Sequence, residues 1–144
     1  MSNSMYVIKQ DKLEELSHKD IVRFALFCTY QVKNKWGKIT GKANYEVIKQ
    51  VELWLEDKVT SDDCRQIATK LEADIIVQYV AWTTSYNHVA GYSHVNAPAY
   101  YASRASVIAI SNLLNDKVIN EQVKYYNELR YVDDIFETIV LEDK

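Results

Sequence analysis

The stretch SHKDIVRFALFCTYQVKNKWG (residues 17–37) carries the clearest helix signal in the chain and decides the fold class. Ser17 can accept a hydrogen bond from a free backbone N–H, and Asp20 faces the positive end of the helix dipole in the first turn. Apolar residues then recur at spacings of three and four, as on one buried face of a helix. They are Ile21, Phe24, Ala25, Cys28, Val32 and Trp36. Gly37 follows the last of them, as glycine commonly follows a helix, so the stretch predicts one long amphipathic helix.

The rest of the chain carries further helix signals and few breakers. Only three glycines and one proline occur among 144 residues, and sheets need many more turn residues than that. Further helices are predicted at 44–57, 61–82, 97–114 and 116–140. The helix at 61–82 either runs unbroken or kinks at 72–74. The predicted fold is therefore all-α, a compact single-domain bundle of five to six helices. Residues 1–16 are predicted to form an N-terminal arm or short helix, 17–140 the helical domain and 141–144 a frayed tail.

Composition excludes several classes of protein. The net charge of −3, from 17 basic and 20 acidic residues, disfavours broad nucleic-acid binding, which needs a basic excess. The chain lacks an apolar run long enough to span a bilayer and a signal-peptide pattern at its start, so a cytoplasmic location without membrane contact is expected. Cys28 and Cys64 form no CxxC pair and lie on apolar helix stripes, so both are predicted to be reduced and buried.

The sequence carries no established catalytic motif. His88 and His94 are six residues apart and would not share a helix face, although a break at Gly91 would let them converge. An enzyme using these histidines and nearby carboxylates with a metal is one hypothesis, but no HExxH-type motif supports it. We therefore predict no catalytic set, no cofactor and no metal.

The stretch SYNHVAGYSHVNAPAYYASRA (residues 85–105) is the candidate binding segment. It holds two of the three histidines and four of the eleven tyrosines. Tyrosine and arginine are enriched at protein interfaces, and aromatic rings also stack on flat ligands. The predicted partner- or ligand-binding residues are His88, Tyr92, His94, Asn96, Tyr100, Tyr101 and Arg104. The alternative is that about half of the tyrosines only pack in the core.

Three segments in order resemble the all-helical putative immunity proteins of bacterial polymorphic toxin systems, a family with phage-encoded relatives. They are RFALFCTYQV (residues 23–32), YEVIKQVELWLEDKVTSDDCRQIA (45–68) and SHVNAPAYYASRAS (93–106). The third is similar to a family pattern of histidine-valine, a short turn, and tyrosine-alanine-x-basic-alanine. His94, Val95, Tyr101, Ala102, Arg104 and Ala105 occupy that pattern here.

The resemblance implies binding without catalysis. An immunity or inhibitor protein would bind and neutralise a cognate toxin, and a phage relative would act against a host defence protein. The alternative is a phage-type ligand-sequestering protein, a nucleotide sponge for counter-defence, using tyrosines for stacking and Arg104 for phosphate. A small-molecule ligand and a homo-oligomer both remain open on the sequence alone.

Overall fold

The computed structural model describes residues 5–37, 40–85, 98–113, 116–131 and 139–142. Two short strands and seven α-helices, with one 3-10 turn, lie within these ranges. In chain order they are β1 (Met5–Ile8), α1 (Gln10–Leu13), α2 (His18–Gln31), the 3-10 turn Lys33–Lys35, α3 (Gly41–Leu55), α4 (Ser61–Lys70), α5 (Ile75–Thr83), α6 (Pro98–Leu113), α7 (Asp116–Arg130) and β2 (Ile139–Glu142). The prediction of an all-α fold is confirmed, although the helices number seven rather than five to six.

The helix starts follow from local side-chain chemistry. The Ser17 hydroxyl accepts from the backbone N–H of Asp20 at 3.2 Å, as the sequence predicts for the start of α2. Thr60 and Asp63 form a reciprocal capping box at the start of α4, with hydrogen bonds of 3.1 and 2.9 Å. These caps satisfy backbone donors that the first helical turn leaves unpaired.

The core forms where α2 packs against α5, α6 and α7, while α3 and α4 pack against α5. One face of α6 consists of small side chains, which lets its neighbours approach closely. The buried residues of that face are Ala99, Ala102, Ala105, Ser106 and Ala109. Larger side chains from α2 and α7, including Phe24 and Tyr126, fill the remaining space and are also fully buried.

The predicted helix from 61 to 82 is divided into α4 and α5. The break lies close to residues 72–74, where a kink was one of the two alternatives. Asp74 receives hydrogen bonds on its carboxylate from Thr40 Oγ1, from Asn44 Nδ2 at 3.0 Å and from the Gly37 N–H at 3.4 Å. The Asp74 N–H in turn donates to Asn44 Oδ1 at 2.8 Å. Since that N–H is bonded to a side chain of α3, it takes no part in a continuous helical ladder, and α5 begins afresh at Ile75.

The predictions for the ends of two helices were wrong. Helix α2 ends at Gln31, and the chain continues through the 3-10 turn to an extended Trp36, so the helix does not reach Gly37. Helix α7 ends at Arg130 rather than at residue 140. Tyr131 adopts a left-handed conformation with φ 63°, which stops a helix.

The two ends of the described chain meet in an antiparallel strand pair. Residues 139–142, two of which were predicted to lie in the last helix and two in a frayed tail, form β2. Its register places Ile139 opposite Ile8 and Glu142 opposite Met5. Strand β1 also packs against α6 and α7, and Val7 and Ile8 are buried.

Across the described ranges, each helix is too short or too polar to cross a lipid bilayer.

Candidate functional site

Four aromatic rings from α5 and α6 form a cluster, which we call the tyrosine cluster: Tyr79, Trp82, Tyr100 and Tyr101. Tyr101 lies at its centre, with ring centroids 6.0 Å from Tyr79, 5.7 Å from Trp82 and 5.4 Å from Tyr100. The Tyr79 and Tyr101 rings are nearly parallel, at 26°, and the other two pairs are steeply inclined. All four side chains are partly exposed, so the cluster joins the core to the surface.

Arg104 lies on α6 one turn after Tyr100, which places the two residues on the same face of that helix. The side chain is partly buried, and its Nε atom is buried with no hydrogen-bond partner among the residues that the structure describes. Its guanidinium therefore lies at the edge of the fold and not on a freely solvated surface.

Of the seven predicted site residues, the structure brings Tyr100 and Tyr101 into ring contact and places Arg104 on the same helix. His88, Tyr92, His94 and Asn96 lie outside the described residues. The rings of Tyr79 and Trp82 join the site from α5. From the sequence they were predicted only as part of the helix from 61 to 82, and the available signal was their spacing of three on a helix next to the candidate segment.

The chain leading into the candidate segment is fixed by three side chains from two other helices. His18 Nε2 donates to the carbonyl oxygen of Thr83 at 2.9 Å. The Ser61 hydroxyl donates to the carbonyl oxygen of Thr84, and Arg65 Nη1 donates to Ser85 Oγ at 3.2 Å. The C-terminal end of α5 is thereby satisfied by α2 and α4, which makes it a defined starting point for the segment that follows.

Trp54 and His18 support this arrangement and were not identified from the sequence. Their ring centroids lie 5.1 Å apart, and Trp54 Nε1 donates to Ser61 Oγ at 2.9 Å. Ser61 thus relays a hydrogen bond from an indole of α3 to the end of α5. No sequence pattern links residues so far apart in the chain.

The two thiols are not suited to nucleophilic chemistry. Both are buried, as predicted. Burial raises the pKa of the Cys28 thiol far above its ordinary value and that of Cys64 to about 11. Since the thiolate is the nucleophile, neither residue supplies it near neutral pH.

Titratable side chains elsewhere in the described ranges do not gather into a metal site. Among the described residues, no three histidine, cysteine, aspartate or glutamate side chains come together in a way that could hold an ion. His18, the one histidine in those ranges, is engaged with Thr83 and Trp54.

A separate open groove of about 420 Å³ lies between α2 and α7. Phe27 and Tyr125 stack along it with centroids 4.5 Å apart and an interplanar angle of 17°. Glu121, Lys124 and Glu128 also line it. Of the predicted site residues within the described ranges, namely Tyr100, Tyr101 and Arg104, none borders this groove.

Comparison with known proteins adds no assignment: no family model matches the chain, and no curated protein or solved structure matches it. The resemblance to immunity proteins stays a prediction.

Proposed function

We propose that this chain is a non-catalytic helical protein that binds and neutralises another protein in the cytoplasm, as an immunity protein or inhibitor directed at a toxin or a host defence protein. The observation that carries the proposal is the tyrosine cluster with Arg104 beside it. Tyrosine, tryptophan and arginine are the residues most enriched among energetic hot spots of interfaces. A cluster of four such rings, partly exposed and backed by small alanines of α6, provides contact area at a low cost in side-chain entropy.

The hydrogen bonds at the end of α5 give this surface a defined shape. His18, Ser61 and Arg65 engage three consecutive residues there, Thr83 to Ser85. A surface that is ordered before binding loses less conformational entropy when the partner arrives. The same rings would serve the alternative, a nucleotide-sequestering protein, so the two functions must be separated by experiment.

The test compares binding by variants at the edge of the cluster. The doubly substituted Tyr100→Ala/Arg104→Ala protein is measured against the products of genes adjacent to its own, by calorimetry and by inhibition of their toxicity. We expect a loss of affinity of about tenfold or more, because truncating a hot-spot pair costs about 1.4 kcal/mol or more. Tyr101 should be changed only to phenylalanine, since it contacts the other three rings and alanine would also destabilise the fold.

The matched control is Tyr131→Ala/Lys117→Ala. It removes an exposed tyrosine just after α7 and an exposed lysine within α7, both outside the tyrosine cluster. Its affinity should equal that of the unmodified protein. Equal losses in both double variants would contradict the proposal. A large thermal stabilisation by a single cyclic or linear nucleotide would favour the sequestering alternative, and turnover of a substrate would overturn the non-catalytic assignment.

A further inference from the structure

A second surface, separate from the tyrosine cluster, combines exposed rings with lysines. We call it the lysine–aromatic face and define it by Tyr30, Lys33, Trp36, Tyr45 and Lys49. These residues line a groove of about 200 Å³ where the end of α2, the 3-10 turn and α3 meet. No member of the tyrosine cluster lines this groove, so the two surfaces can be tested independently.

Trp36 separates this groove from a neighbouring one of about 200 Å³, which is lined by Lys35 and by the isoleucines Ile75, Ile76 and Ile108. Four large apolar side chains are exposed in the described part of the chain, and three of them border these two grooves. They are Tyr30 at 42%, Tyr45 at 63% and Ile75 at 49% exposure. Exposed apolar groups gathered on one side of a protein mark an interaction surface more often than scattered ones do.

The described lysines of this region form no ion pair with another described residue. Lys33, Lys35, Lys42 and Lys49 are exposed, and in the described ranges none lies within 4 Å of a carboxylate oxygen. Two nearby acids are engaged with other residues: Glu52 accepts from the Tyr30 hydroxyl, and Asp74 accepts from Asn44 and Thr40.

The positive charge is also concentrated along the sequence. Residues 33–49 contain five lysines and one glutamate, a net charge of +4 in a chain whose total is −3. Within α3, Lys42, Tyr45 and Lys49 recur at spacings of three and four, so the helix presents alternating cation and ring on one side.

We propose that the lysine–aromatic face is a docking site for an acidic segment of a partner protein. Carboxylates of that segment would pair with Lys33 and Lys49, and an apolar side chain would enter the groove between Trp36 and Tyr45. Cation–carboxylate pairs around a desolvated aromatic centre are the arrangement that gives an interface both specificity and a fast on-rate.

The acidic side chains that line the two grooves favour an acidic peptide over a nucleic acid as the ligand of this face. Glu52 and Asp74 line the two grooves with their carboxylates, and a continuous phosphate backbone would run against them. A peptide can place its few acidic residues against the lysines and an apolar or neutral residue against the glutamate. The face therefore favours a protein segment.

The test is selection from a random dodecapeptide library displayed on yeast, using the folded full-length chain as bait. We expect the enriched peptides to carry a net negative charge and at least one large apolar residue. Their affinity should fall as ionic strength rises from about 0.05 to about 0.5 M, because the Debye length shrinks over that range. The variant Lys33→Glu/Lys49→Glu should bind a selected peptide at least tenfold more weakly. The variant Tyr45→Ala should also bind it more weakly, but its affinity should depend on ionic strength as that of the unmodified protein does.

The matched control is Lys9→Glu/Lys117→Glu, with the same change of charge at two exposed lysines away from both grooves; its affinity should change less than threefold. Enrichment of neutral or basic peptides would overturn the proposal, as would equal losses in the two charge-reversed variants. An oligothymidine probe that binds more tightly than the selected peptides and loses affinity in Lys33→Glu/Lys49→Glu would instead assign the face to nucleic acid. Binding to the tyrosine cluster is measured with other variants, so either proposal can fail alone.

Discussion

Asn44 and Asp74 bond to each other twice across the junction of α3 and α5. Asn44 Oδ1 accepts from the Asp74 N–H at 2.8 Å, and Asn44 Nδ2 donates to Asp74 Oδ2 at 3.0 Å. Asn44 has no exposed surface, so its amide depends entirely on this pairing. The pair sets where α5 begins, and it therefore helps to position both the tyrosine cluster and the lysine–aromatic face.

Replacing Asn44 with alanine should be strongly destabilising. The change leaves the Asp74 N–H without its acceptor and a carboxylate oxygen with one donor fewer, so we expect a loss of about 2–4 kcal/mol in the free energy of unfolding. Urea unfolding measures it. Asn120→Ala, at an exposed position of α7, is the control and should stay within about 0.5 kcal/mol of the unmodified protein. Equal unfolding midpoints for the two variants would contradict the structural role of the pair.

The relay from Trp54 through Ser61 to Thr84 should behave as one unit. Ser61→Ala leaves both the indole donor and the carbonyl acceptor without a partner, whereas Trp54→Phe removes the donor and keeps a ring beside His18. In a double-mutant cycle on the free energy of unfolding, we expect a coupling of about 1 kcal/mol. Additive losses would show that the indole–hydroxyl bond contributes nothing to stability.

Both thiols should resist labelling in the folded protein. Cys28 and Cys64 have no exposed surface, and burial raises the pKa of each thiol. Reaction with a disulfide reagent near pH 8 should therefore be at least about a hundredfold slower than in urea, since it must wait for local opening. Rapid labelling of one thiol without unfolding would contradict the buried placement of that residue.

Alkaline pH should remove a contribution to stability that comes from Cys64. Its pKa rises from an ordinary value of 9.0 to about 11 in the folded protein, mainly through burial. Between pH 9 and about 11, the folded state keeps a proton on Cys64 that the unfolded state has released. The contribution of Cys64 to the free energy of unfolding is therefore present in full below pH 9 and falls as pH rises toward 11. The difference in unfolding free energy between the unmodified protein and Cys64→Ala should shrink across that window. A constant difference would contradict the raised pKa.

Deleting residues 139–144 should destabilise the protein, because β2 covers the backbone edge of β1. We expect a fall in melting temperature of roughly 5 °C, the effect of losing a little over 1 kcal/mol in a chain of this size. Deleting only residues 143–144 keeps the strand pair and should leave the melting temperature unchanged. If the two deletions have the same effect, the strand pair does not stabilise the fold.

Local patterns predicted much of the helix content correctly. The Ser17 cap, the apolar stripe from Ile21 to Cys28 and the start of a helix at residue 61 depend on interactions within one or two turns, so neighbouring residues are sufficient to specify them. The burial of Cys28 and Cys64 followed from the same periodicity. Helix ends were predicted less well, since continuation past Gln31 or Arg130 depends on contacts with distant parts of the chain.

Only part of the candidate site could be predicted from the sequence. Tyr100, Tyr101 and Arg104 lie in one short stretch and were predicted together. Tyr79 and Trp82 were predicted only as part of a helix, because nothing local distinguishes a ring packed in the core from one shared with a surface cluster. The sequence shows five lysines within residues 33–49, but only the tertiary structure shows that Lys33, Lys35, Lys42 and Lys49 form no ion pair with another described residue.

The sequence by itself determined that this chain is helical, where several helices begin, and which faces are apolar, because those properties depend on interactions between residues a few positions apart. The tertiary structure alone decided that α4 and α5 are separate, that the chain ends pair as strands, and that rings and lysines gather into two surfaces. Each of those features depends on hydrogen bonds or packing between residues that are distant in the chain, such as Asn44 with Asp74, Ile8 with Ile139 and Tyr79 with Tyr101. Such contacts form only when the helices have docked, so no local pattern encodes them.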